Sequence, residues 1–228
     1  MDLGAATHSS PMNEVPIRDA ATVVVVRDTE TGPAVLMGQR GAKAAFMPSK
    51  YVFPGGAVDQ ADAEVPFARP LSEATALALK DRSAQVPEAL ASAAIRELWE
   101  ETGQILAGSG ITSGWPGFPT DQAPDAAPLT FFFRAITPPG RPRRFDARFF
   151  LINADDLSSD PDDFTHATDE LSHLHWVPLT ETHALDVPFI TEVVLAEVSA
   201  RVSGRKPPPG VPFFDNSGEG SRFSYLGA

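Results

Sequence analysis

The chain has 228 residues and a mass of 24.3 kDa, enough for one large domain or two small ones and ample to bury a core. Eighteen Lys and Arg against thirty Asp and Glu leave a net charge of −12, which argues against coating a nucleic-acid polymer, because that binding is driven by cations neutralising phosphates. The absence of cysteine excludes disulfides, thiolate zinc sites, iron–sulfur clusters and cysteine nucleophiles, and the aliphatic run Val23 to Val26 is far too short to span a bilayer. A cytoplasmic protein with no membrane partner is expected, and a small anionic substrate remains open where a cation mediates.

In chain order, residues 1–18 mix Ser, Pro, Ala and acids and read as a flexible tail. Ala21 to Asp28 is a β-branched run; after the turn Thr31-Gly32-Pro33, Ala34 to Arg40 completes a hairpin. Tyr51, Val52 and Phe53 lead into Pro54-Gly55-Gly56. An Ala-rich stretch at about 60–87, with Leu71, Leu77 and Leu79 in a helix ending near Lys80-Asp81-Arg82, reads as an insertion. Glu88 to Thr102 has neither Gly nor Pro and is followed by Gly103, where a left-handed cap belongs.

Gly108 to Pro128 is rich in Gly, Pro, Ser and Asp and reads as a surface loop, from which Trp115 and Phe118 are expected to pack as walls near the site. Strands follow at Leu129 to Ile136 and Ala147 to Asn153, an acidic loop at Asp155 to Asp163, a short strand at His175 to Val177, and a helix at Pro188 to Val202. Residues 207–228 start with three prolines and carry Phe213, Phe214, Phe223 and Tyr225, so a partly docked tail is expected.

On an ideal helix at roughly 100° per residue, Glu97, Glu100 and Glu101 share one face, while Ala91, Ile95, Leu98 and Trp99 form the packing face. The acids repel one another, and Arg96, one turn before Glu100, cannot neutralise all three. Such a face is either a solvated acidic surface or a site for a divalent cation; oxygen ligands without His or Cys favour Mg2+ or Mn2+. His166, His173 and His175 fit no zinc spacing and receive no metal role.

The run Arg96-Glu97-Leu98-Trp99-Glu100-Glu101-Thr102-Gly103 resembles the core of the Nudix hydrolase signature, Gly-x5-Glu-x7-Arg-Glu-U-x-Glu-Glu-x-Gly-U with U aliphatic. Gly55-Gly56 resembles its opening, and Glu88, with seven residues between it and Arg96, resembles its first Glu. The spacing departs from the pattern: forty positions separate Gly56 from Arg96 where the signature has fourteen, and Gln104 takes the last U. Such an interrupted signature, together with Phe46-Met47-Pro48 and Arg144-Phe145-Asp146, resembles the subgroup that includes peroxisomal coenzyme A and acyl-coenzyme A diphosphatases. Of that subgroup's upstream motif Arg40 fits, whereas Ala45 and Ser49 replace its Arg and Gly.

The resemblance implies an α/β fold, a Nudix-type α/β/α sandwich with a mixed sheet, over residues 19–206. It implies hydrolysis of a diphosphate bond in a nucleoside diphosphate derivative, with Glu97, Glu100 and Glu101 as metal ligands, Arg96 orienting them, and Glu170 completing the site from another loop. On its own residues, beside Asp169 and Asp163, Glu170 reads first as a surface loop acid. Gly55, Gly56, Arg40, Arg144 and Phe145 are the expected substrate-binding residues, the arginines of 141–148 gripping phosphate or simply balancing charge. An ADP-ribose or nucleotide-sugar pyrophosphatase, or a Nudix-like module that binds a nucleotide without turnover, are the alternatives.

Overall fold

A computed structural model describes residues 15–44, 46–111, 113–218 and 220–227. The N-terminal stretch expected as a tail lies outside these through residue 14, but at Ile17 the chain is already in a strand, β1 (Ile17–Thr29). β1 pairs antiparallel with β2 (Gly32–Arg40) around the Gly32 turn (φ 111°) and, along its other edge, parallel with β8 (Arg144–Asn153) over ten residues, from Ile17 opposite Arg144 to Val26 opposite Asn153. Because a parallel strand at the centre of a sheet is covered on both faces, its core reads as a continuous apolar run, Val23 to Val26, rather than as an alternation.

The pleat sends Val23 and Val25 to one side, where α2 (Pro87–Thr102) packs through Leu90, Ala94, Ile95 and Leu98. It sends Val24 and Val26 to the other, where α3 (Phe189–Val202) packs through Val194, Leu195 and Val198. A mixed sheet between helices results. Its main path runs β11 (Arg222–Leu226), β10 (Val211–Asp215), β7 (Thr130–Ile136), β8, β1, β2, β3 (Tyr51–Val52), with β4 (Gly55–Ala57) on β1 and β9 (Leu171–Pro178) on β2.

Three segments differ from the sequence reading. The stretch after Pro207 to Pro209 is a hairpin built into the sheet: β10 pairs with β11, runs parallel to β7, and buries Val211, Phe213 and Leu226. Within the expected loop of 108–128, β5 (Ala107–Ser109) and β6 (Gln122–Pro124) pair as a small separate ribbon. In the inserted stretch, α1 (Glu73–Lys80) starts on a Ser72 cap and buries Leu79, while Leu77 is 69% exposed and Leu71 precedes the helix.

The opening between β1 and β2 positions the site. Their pairing covers only Val26–Thr29 against Gly32–Val35; beyond it β2 turns to β3 and β9, and β4 takes the vacated edge of β1. The segment Tyr51–Ala57 therefore crosses from β2 to β1 and brings its glycines against α2.

Candidate active site

Gly55 and Gly56 are where that crossing meets the helix. The Gly55 N–H donates to Glu101 Oε2 at 2.7 Å, and a Cβ on Gly56 would stand 2.3 Å from Glu97 Oε1, closer than any side chain tolerates. A Cβ on Gly55 would meet Ala21 O and Thr22 Oγ1 at 2.6 Å. Gly55 is thus required by the β1 backbone, whereas a side chain at Gly56 would displace the Glu97 carboxylate.

Arg96 is held from two sides. Its Nε and Nη2 donate to Asp62 Oδ1 at 3.0 Å and Oδ2 at 2.9 Å, and Nη2 also donates to Ala57 O at 3.1 Å. Its Nη1 reaches Glu97 Oε1 at 2.8 Å and Glu100 Oε2 at 3.1 Å, so one buried guanidinium fixes two of the acids. Burial alone would lower the Arg96 pKa, but the Asp62 hydrogen bonds and the neighbouring Glu97 charge more than reverse this, and the group stays a cation.

Asp62, 2% exposed, is the residue that the sequence reading missed. Five residues separate it from Gly56, which satisfies the opening Gly-x5-acid of the signature with Asp in place of Glu. Counting back from Arg96 instead leads to Glu88, which lies exposed in the first turn of α2. The interruption of the signature therefore falls between Asp62 and Arg96, after the acid and not before it.

The acids themselves are crowded. Glu101 is 2% exposed and its pKa is raised to about 8, chiefly by burial and then by the Glu97 charge, against the pull of the Gly55 N–H and Arg40; Glu170 adds to the rise. Glu97 is raised to about 7, again first by burial, with Arg96 opposing and Glu100 and Glu170 contributing. The structure thus brings Glu97, Glu100 and Glu101 within electrostatic reach of Glu170, which stands exposed just before β9. Among the described residues no three acidic or histidine side chains already surround a common point, since Arg96 engages oxygens of Glu97 and Glu100. Hard oxygens crowded enough to resist ionisation suit a divalent cation, which would relieve the repulsion and displace the protons.

These acids line a cleft of about 420 Å³ together with basic and aromatic side chains. Arg18, Arg40 and Arg143 line it, none in an ion pair with a described residue, and Arg40 Nε is buried without a partner. Phe145 lines it too, edge-on to Phe46 with ring centroids 5.4 Å apart. Arg144 does not. β8 begins three residues earlier than the sequence suggests, so the pleat sends Phe145, Ala147 and Phe149 to the cleft and Arg144, Asp146 and Arg148 to the other face. There Arg144, 2% exposed, donates to the carbonyls of Thr137 at 3.0 Å and Asn216 at 2.9 Å. Trp115 and Phe118 also lie elsewhere: they pack on each other, and Phe118 sits edge-on to Trp99 at 5.9 Å, away from the cleft-lining residues.

The NUDIX domain family matches residues 16–197, which is most of the chain. The chain belongs to the Nudix family. A crystal structure of a NUDIX hydrolase from Alicyclobacillus acidocaldarius is 30% identical and superposes with a TM-score of 0.63, covering 86% of this chain and 99% of that one. A Caenorhabditis elegans sequence assigned to the nudix hydrolases is 29% identical over 177 residues, 70% of this chain and 51% of its own length, so this Nudix chain spans about half of that curated relative. The NUDIX domain of Shewanella oneidensis NrtR, solved with ADP ribose, shares the fold at 12% identity and a TM-score of 0.50, covering 85% of this chain and 94% of its own. The hairpin β10–β11 lies beyond the matched family region.

Proposed function

We propose that this Nudix chain hydrolyses a diphosphate bond in a nucleoside diphosphate derivative with the help of Mg2+ or Mn2+, coenzyme A or an acyl-coenzyme A being the favoured type of substrate. The observation that carries the reading is that one cleft is lined both by the carboxylates Glu97, Glu100 and the buried Glu101 and by Arg18, Arg40 and Arg143, which make no ion pair with a described residue. Carboxylates alone would repel a diphosphate, and arginines alone would bind it without reaction.

In this reading Glu97, Glu100 and Glu101 hold the divalent cation, which when bound supplies charge neutralisation and an acidified water. The chain's own residues do the rest. Arg96, anchored by Asp62, keeps Glu97 and Glu100 in place; the Gly55 N–H does so for Glu101. Arg40, Arg18 and Arg143 orient the phosphate oxygens, and Phe145 with Phe46 offers a face for a base. Glu170 adds a carboxylate from the loop before β9. The interrupted signature and Arg40 support the coenzyme A preference; among the described residues no helix is long and apolar enough to cross a membrane.

A substrate panel tests this. With Mg2+, hydrolysis of coenzyme A or an acyl-coenzyme A to two phosphate-bearing products, resolved by mass and abolished by a chelator, is the expected result. Turnover of ADP-ribose or nucleotide sugars alone would relocate the preference, and inactivity on every compound would leave a binding module.

A further inference from the structure

A second cavity, of about 710 Å³, adjoins the cleft. The two share Phe46, Met47, Thr137, Ala147, Phe149 and Ile190, so they form one continuous hollow. The far wall comes from Phe189 at the start of α3 and Phe214 of β10, whose rings meet at 6.5 Å. Phe189 lies inside the matched family region and β10 outside it, so the Phe214 part of this wall comes from the C-terminal hairpin.

The chemistry of the lining is unlike the cleft's. No acid among the described residues lines it; its charged side chains are Arg141 and Lys50, and Lys50 is ion-paired with Asp186. Its uncharged polar side chains are already bonded within the protein: Thr137 Oγ1 accepts from the Phe145 N–H at 3.1 Å, Ser221 Oγ donates to Asn216 Oδ1 at 2.5 Å, and Asn216 Nδ2 donates to Ile136 O at 3.0 Å. Apart from Arg141, what remains facing the hollow is hydrocarbon and aromatic surface, in a volume within the roughly 300–1,000 Å³ typical of small-molecule sites. A nucleobase would find few hydrogen-bond partners there; an alkyl chain needs none.

We infer that this chamber binds an aliphatic group carried beyond the distal phosphate of the substrate, so that the chain selects diphosphates by the hydrocarbon they carry. The inference rests on the proposed diphosphate chemistry of the adjoining cleft. With its base on Phe145, which lines the cleft but not the chamber, a substrate whose phosphates lie among the carboxylates and the arginines can carry its distal substituent to the shared mouth, and burying that substituent removes apolar surface from water on both partners.

The test uses α,β-methylene-ADP, which cannot be hydrolysed at its bridge, esterified at the distal phosphate with methyl, hexyl or decyl groups. Binding is measured by calorimetry with Mg2+. Hexyl should bind at least about 30-fold tighter than methyl, roughly twofold or more per methylene. Phe189 is 66% exposed, so Phe189→Asp should fold and should remove most of that gain, whereas Phe189→Leu should keep it. Thermal melting of both variants checks the fold. Equal affinity along the series would overturn the chamber while leaving the diphosphate site standing; an undiminished gain in Phe189→Asp would overturn its location. Failure of every ester, methyl included, to bind would overturn the diphosphate reading and the chamber with it.

Discussion

Glu101 is a charge held where charge is unwelcome, with one backbone N–H, from Gly55, set against burial and the neighbouring Glu97. The native state keeps its proton up to about pH 8, whereas an unfolded glutamate loses it near 4.5. Between those values the native state binds more protons than the unfolded one, so the metal-free protein loses stability as pH rises from about 4.5 to 8. Melting curves in a chelator should fall across this window, and Glu101→Gln should flatten the slope and raise the melting temperature at pH 8. The same variant, a far weaker cation ligand, should lose about 100-fold or more in kcat, about 3 kcal/mol of barrier. A slope unchanged by Glu101→Gln would mean that the carboxyl is not held toward protonation. The four residues from Arg96 to Glu101 that form this cluster were legible from helical spacing alone, since α-helix geometry places i, i+3 and i+4 on one face whatever surrounds them.

At the scale of elements, α2 and the 3-10 turn Gln60–Glu64 that follows β4 are joined by the Asp62–Arg96 contact. Removing Asp62 leaves a buried guanidinium without its bidentate partner, so Asp62→Ala should cost about 3–5 kcal/mol in urea unfolding. Arg96 would also be freed to lean on Glu97 and Glu100, and kcat should fall with it. Wild-type stability in Asp62→Ala would show that solvent replaces the anchor. β8 shows the complementary point. One register decision, where the strand starts, assigns Phe145 to the cleft and Arg144 to the interior. Periodicity is visible in sequence, but its phase depends on where pairing with β1 begins.

For the molecule as a whole, the C-terminal hairpin closes the sheet beyond β7 and walls the apolar chamber. Arg144 ties it to β8 through carbonyls of Asn216 and Ser217. Arg144→Met should therefore cost about 2 kcal/mol, from lost charged hydrogen bonds, and make the segment after β10 more easily cut by protease. A purely raised KM with unchanged stability would instead return Arg144 to substrate binding. Deleting residues 208–228 should leave little soluble protein, because Phe131, Ile136 and neighbouring core surface would be opened along with the edge of β7.

Local physics explains which features were readable. Val23 to Val26, Glu88 to Thr102 and Gly103 announce a buried strand, a helix and its left-handed cap through propensity and short-range sterics, and the chain folds them so. The acidic face follows from helix geometry, and Asp62 was legible in the Gly56 spacing but passed over. The remaining features arise between residues distant along the chain. Gly55 meets Glu101 across 46 positions, and Arg144 meets Asn216 across 72. The aromatic tail becomes β10 only because β7 offers it an open edge. Such contacts depend on which strands become neighbours, a choice made by the burial of the whole sheet and not by any local run of residues.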